Sequence, residues 1–290
     1  MLDAEDAVAL SLLPRAWRLR ALEALAHPPA PGSVEAVLAA VVTDRPAGHL
    51  AARLRRLARA ALAAAHRAGI RAIAWGERDY PPLLAAVADA PLALWSRGDP
   101  TLLRRPAVAI VGSRAATSYG LEAAARLAGD LAAAGALVVS GMARGIDSAS
   151  HRAALAAGGP TAAVLGSGVD VIYPPEHRQL AGEIARAGVV LSEFTPGSAP
   201  LAFHFPARNR IISGLSLATI VVEAAERSGS LITAGFALEQ GRAVMAVPGS
   251  ILSGRYRGCH ALIRDGAAVV ESAEDVLAEL RSSPLRSLAL

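Results

Sequence analysis

The chain contains no lysine; all 29 of its basic residues are arginine. That removes a P-loop lysine, a Schiff-base lysine and a lysine general base from consideration. A single cysteine, Cys259, excludes an intramolecular disulfide and a thiolate metal cluster within one chain. It reads as a small residue beside a turn. Aromatic residues make up only 4% of the chain. No uncharged apolar run is long enough to span a bilayer, although 53% of the residues are hydrophobic, because alanine supplies much of that share. The opening stretch MLDAEDAVAL is acidic where a secretory leader would be basic, so the expected location is the cytoplasm. The histidines lack H-x-x-x-H or comparable spacing, so no metal and no cofactor is expected.

What is present is a chain of 290 residues, long enough for at least one large core and for two domains. Residues 1–66 are rich in alanine, leucine and arginine at helical spacing, broken by HPPAPGS (27–33) and DRPAG (44–48). They predict a small all-helical domain of several short helices. Residues 67–104 predict a connecting segment with two short extended runs, RAIAW and LALWSRG, around a proline-marked turn and a helix.

From residue 105 to 281 short apolar runs alternate with helical ones. The runs AVAIVGS (107–113), LVVSG (137–141), TAAVLGS (161–167), VVLSEF (189–194), ATIVVEAA (218–225) and AVMAVPG (243–249) predict buried strands. AAVVE (267–271) adds a last strand, and SAEDVLAEL (272–280) a last helix. Strands of this kind, separated by helices, form a mostly parallel sheet covered on both faces, a doubly wound α/β domain. One helix is placed near 209–216, directly after the stretch HFPARNR.

Ligands of such sheets bind beyond the carboxyl ends of the strands. The loops there carry Arg114, Arg144, Arg178, Arg208 with Arg210, Arg227, and Arg255 with Arg257. Six of the eight phenylalanines and tyrosines lie in the same loops: Tyr119, Tyr173, Phe194, Phe203, Phe205 and Tyr256. Forked guanidinium groups and flat rings along one edge suit an unpaired nucleic-acid strand, the first holding phosphates and the second stacking on bases. Phe194 and Phe203 fit a core role equally well. GSR (112–114), SGMARGID (140–147) and SGSLIT (228–233) open helices with small residues, which favours anions at the helix N-termini. SGSLIT also offers the hydroxyls of Ser228, Ser230 and Thr233. A net charge of +4 permits a nucleic-acid partner without requiring one.

A dinucleotide enzyme does not fit: GSRAATSYG stands where G-x-G-x-x-G is needed, and no acidic residue closes the second strand. No G-x-S-x-G elbow follows a strand, so a serine nucleophile fails as well. A nucleotide hydrolase stays open, with Glu193, Glu223 and Glu226 at strand ends, although local pairing of these glutamates with loop arginines is the simpler reading. A scaffold for a protein partner also stays open.

The motifs VGSRAATSYG (111–120), VVSGMARGIDSASHRAAL (138–155), AVLGSGVDVIYPPEHRQL (163–180), LSEFTPG (191–197), HFPARNRIISGLS (204–216), VVEAAERSGSLITAGFALEQGR (221–242), AVPGS (246–250) and RGCHALIRDGA (257–267) resemble, in order and spacing, those of the DprA/Smf family of DNA-processing proteins. The resemblance implies an extended Rossmann-like domain that binds single-stranded DNA, forms homodimers, protects incoming strands and loads the RecA recombinase during natural transformation, with no catalytic activity. It implies contacts from Ser113 and Arg114 and from Arg208, Asn209 and Arg210. Together with the loop residues, the candidate DNA-binding set is Ser113, Arg114, Arg144, Phe205, Arg208, Asn209, Arg210, Ser228, Gly229, Ser230, Thr233 and Arg257. Arg208 and Arg210 are expected to grip phosphates, Asn209 a base edge or the loop itself, and Phe205 to stack or pack beneath. The family's dimer surface is expected around ALIRDGAAVV (261–270). Residues 282–290 are expected to be a tail, the C-terminal winged-helix-like domain of many members being absent.

Overall fold

The structure is a computed structural model that describes residues 3–27, 31–42, 47–283 and 285. The helical breaks expected at 27–33 and 44–48, and the tail expected at 282–290, fall partly outside the described residues. The chain opens with α1 (Ala4–Ser11), α2 (Arg15–Ala26), α3 (Val34–Val41) and α4 (Ala47–Arg67). Asp3 and Ser33 cap the first and third of these by accepting from backbone N–H groups. Next come β1 (Arg71–Ala74), α5 (Pro82–Ala85) and β2 (Ala93–Gly98).

The alternating part follows as β3 (Ala107–Val111), α6 (Ser118–Ala133), β4 (Leu137–Ser140), α7 (Ile146–Ala156), β5 (Thr161–Val164), α8 (Arg178–Ala187) and β6 (Val189–Ser192). It continues through α9 (His204–Gly214), β7 (Ala218–Val221), α10 (Gly229–Glu239), β8 (Ala243–Ala246), α11 (Arg257–Arg264), β9 (Ala268–Val269) and α12 (Ala273–Ser282).

All nine strands join one sheet in the order β1-β2-β6-β5-β4-β3-β7-β8-β9. The strands from β3 onward pair in parallel, and β3 to β7 are buried at every position, as strands covered on both faces must be. The fold is therefore a mostly parallel, Rossmann-like α/β sheet with a helical N-terminal region. Residues 67–104 do more than connect. Their two extended runs are β1 and β2, which extend the sheet by antiparallel pairing against β6, Trp95 opposite Ser192.

Helices α9, α10 and α11 cover one face, with Ile211, Ile212 and Ala234 packed on Val111, Val164 and Leu191. On the other face α6, α7 and α12 cover β3 and β7. At the β1-β2-β6 end that face is covered by α8 and the N-terminal helices. There Leu10 and Leu38 share one buried cluster with Trp95, Leu180 and Val190. A polar seam adds to this contact: Arg15 and Arg18 of α2 reach Asp89 and Glu193.

Candidate nucleic-acid interface

The sheet order reverses at β3, which has β4 on one side and β7 on the other. The crossover from β6 back to β7 carries α9 past this point. A groove of about 720 Å³ opens there, beyond the carboxyl ends of β3 and β7. Its walls are the turn after β3, the turn before α10 and the first two turns of α9.

Close backbone packing sets the first wall. Ser113 donates its N–H to Glu223 O at 2.8 Å, and its own carbonyl accepts from Ile146 N. A Cβ on Gly112 would lie 2.6 Å from the Ile146 side chain. Gly145 adopts φ +73°, and a Cβ there would fall 2.2 Å from Ser113 O. Only glycine allows these two loops to meet. The opposite wall is the N-terminus of α10, where Ser228 caps the helix and its hydroxyl lies 2.7 Å from that of Ser230. The positive end of the helix dipole points into the groove at this wall.

The stretch HFPARNR is not a loop before a helix: it is the first two turns of α9. Pro206 is tolerated because the first helical turn needs no N–H at that position. This corrects the expectation that Arg208 and Arg210 grip together. Residues two apart on a helix point in nearly opposite directions. Arg208 turns to the groove floor, where Nη1 donates to Gly141 O at 2.6 Å and also to Val164 O. Its Nε is buried without a partner. Burial pulls its pKa down to about 10, with Asp147 opposing and Arg114 adding, so the group stays cationic at neutral pH. Asp147, whose own pKa is raised by burial and which accepts from Ala143 N, acts on it only at a distance.

Arg210 faces the other way and is absent from the groove. Its Nη2 donates to Glu193 Oε2 at 2.8 Å, and its Nε lies 3.2 Å from Asp89 Oδ2. Burial alone would lower its pKa, and the two carboxylates outweigh that, leaving it above the usual value. Buried between these carboxylates and outside the groove, the guanidinium is not placed to meet a phosphate there.

The remaining candidates divide cleanly. The groove gathers Ser113, Arg114, Phe205, Arg208, Asn209, Ser228, Gly229, Ser230 and Thr233. Arg114 is exposed, with its guanidinium carbon 5.5 Å from the Phe205 ring centre. Asn209 reaches Gly229 O at 3.4 Å and links α9 to the first turn of α10. Arg144 lies outside the groove, paired with Glu176 at the surface. Arg257 is also outside, as the exposed first residue of α11. Arg227, by contrast, lines the groove. It was among the loop arginines that the sequence places at this sheet edge, though not in the candidate set.

A family model described as DNA recombination-mediator protein A matches residues 71–281, and the DNA processing protein DprA of Streptococcus pneumoniae is 51% identical over 200 residues, covering 69% of this chain and 71% of that protein. The chain belongs to the DNA recombination-mediator protein A family. The solved structure of the S. pneumoniae protein superposes with a TM-score of 0.84 at 39% identity, over 96% of this chain and 98% of the other. The DNA processing protein A of Helicobacter pylori, whose structure is described for its single-stranded DNA binding mode, matches at 0.66 and 30% identity, over 73% of this chain and 95% of that one. The family match spans β1 through α12 and so contains every residue of the groove.

Two of the three strand-end glutamates, Glu193 and Glu223, are engaged within the protein, while Glu226 is exposed. Glu193 serves Arg210. Glu223 is fully buried; its Oε2 accepts from Thr117 N, the Thr117 hydroxyl and the Tyr256 hydroxyl, and this holds α6 and α11 to the sheet end. Cys259 sits beneath, its thiol pushed up to about 11 by burial. Among the described residues no group of three or more His, Cys, Asp or Glu is placed to hold a metal, and no helix is long and apolar enough to cross a membrane.

Proposed function

We propose that the protein binds single-stranded DNA in the groove between β3 and β7, protects incoming strands and loads the RecA recombinase onto them during natural transformation. On this reading it works in the cytoplasm as a homodimer and without turnover. The observation that carries the proposal is the groove floor. Arg208 is a buried cation held only by backbone carbonyls, flanked by exposed Arg114 and Arg227 and by a helix N-terminus. Positive charge at several points along one groove, exceeding the single carboxylate of Asp147 that lines it, is what a phosphate chain requires. The H. pylori relative, described for its single-stranded DNA binding mode, supports the same ligand.

The test is fluorescence anisotropy with labelled oligo-dT and a matching duplex at two salt concentrations. Tight, salt-sensitive binding of the single strand with weak binding of the duplex is expected. No binding of either oligonucleotide removes the proposal. Sizing by light scattering and a RecA-filament assembly assay on strand-coated protein test the dimer and the loading step separately.

A further inference from the structure

Phe203 is 69% exposed, in a chain that has only four phenylalanines. An exposed apolar side chain is ordinary by itself. This one is not isolated. It is the cap residue of α9, and its ring meets the ring of His204 edge-on at 4.6 Å between centres. His204 in turn lies flat on Phe194, 3.8 Å between centres and 23° between planes, and its Nδ1 sits 3.2 Å from Gly166 O. Beside this stack runs a second one. Arg114 stands over Phe205, and Phe205 lies 5.5 Å from Tyr173, which is 43% exposed.

The two stacks spring from consecutive residues of α9, and Phe205 already lines the groove. Gly166 and Tyr173 follow β5 and Phe194 follows β6, so the aromatic rings leave the groove in one direction, across the carboxyl ends of β5 and then β6.

Resting on the single-strand reading above, we propose that the bound strand leaves the groove along this path and that Phe203, seated on the His204–Phe194 stack, takes one of its unpaired bases. The contact is a stacking contact. It tolerates any base and rejects a duplex, whose base faces are already occupied. A stack of rings held against the protein loses little freedom when a base is added, unlike a lone mobile phenylalanine.

The experiment compares the wild-type protein with Phe203→Ala and Phe203→Trp, using end-labelled oligo-dT of about six and about fifteen nucleotides, within the span of site sizes common for such proteins. Phe203 is at the surface, so both variants fold. The expected result is that Phe203→Ala weakens the longer strand about fivefold or more and leaves the shorter unchanged, while Phe203→Trp restores the longer. Wild-type affinity of Phe203→Ala for the longer strand overturns the proposal, and so does an equal loss on both lengths. If the wild-type protein binds neither strand, the single-strand reading itself falls, which is a different result from either.

Discussion

The groove floor and the seam between α2 and α9 each hold one buried arginine, and they differ in what answers the charge. On the seam, Arg210 meets Glu193 and Asp89, which are further engaged by Arg18 and Arg15. The carboxylates answer the Arg210 charge within the protein, and the network fastens the helical layer to the sheet. On the floor, Arg208 hydrogen-bonds only to carbonyl oxygens, through Nη1, and these leave its charge in place. Two copies of one residue type, two positions apart, thus do opposite things: one closes a contact within the molecule and the other leaves a cation facing a groove. Local sequence cannot tell them apart, because the difference lies in partners from other parts of the chain.

The largest expected effect breaks the seam. Arg210→Ala leaves buried Glu193 with only Arg18 and Asp89 with only Arg15, and should lower stability by about 3 kcal/mol in urea unfolding. A stable Arg210→Ala protein with weakened DNA binding would instead make Arg210 a ligand residue. Next is the floor. Arg208→Ala should cost about 1.5–3 kcal/mol of oligo-dT affinity and reduce the salt slope by about one, as read by anisotropy.

A smaller effect appears only in acid. His151 lies under the floor, and because the Thr161 hydroxyl donates to Val138 O, the imidazole Nδ1 donates to Thr161 Oγ1 at 2.7 Å. Burial, then Arg208 and His177, push its pKa down from 6.5 to about 3. The folded chain keeps it neutral, so its contribution to stability is complete above about pH 6.5 and is lost progressively as pH falls toward about 3. A His151→Gln variant that still folds should show a flatter acid limb. The smallest change is Arg144→Ala, which should leave both stability and oligo-dT affinity essentially unmoved, because its partner Glu176 is at the surface and both lie outside the groove.

Much of the sheet was readable in advance because its signal is local. AVAIV, LVVS and ATIV are short branched runs, each followed by a turn of small residues, and that pattern alone orders strand, loop and helix. The turns after β3 and before α10 were readable for the same reason, since glycine and serine at those points serve the backbone. What was not readable was the geometry of HFPARNR. A proline two residues before an arginine reads as a loop, and in a loop both arginines can face one way; in α9 the helix sets them on opposite sides. Asp89, the carboxylate that helps claim Arg210, comes from the segment that seemed only to connect, and Glu176, which claims Arg144, comes from the far side of β5. Pairings of that range leave no trace in local pattern.

Gly112, Gly141 and Gly145 give the groove its shape by what they lack. A Cβ on Gly141 would sit 2.6–2.8 Å from the Arg208 guanidinium, and the other two would strike the Ile146 side chain and the Ser113 carbonyl. In a survey of tolerated substitutions these three positions should therefore be among the least forgiving in the chain, although none carries a functional group. Lineages of this protein can trade one cation for another at the groove rim and still hold an anion, but they inherit its floor as a set of atoms that must never be added.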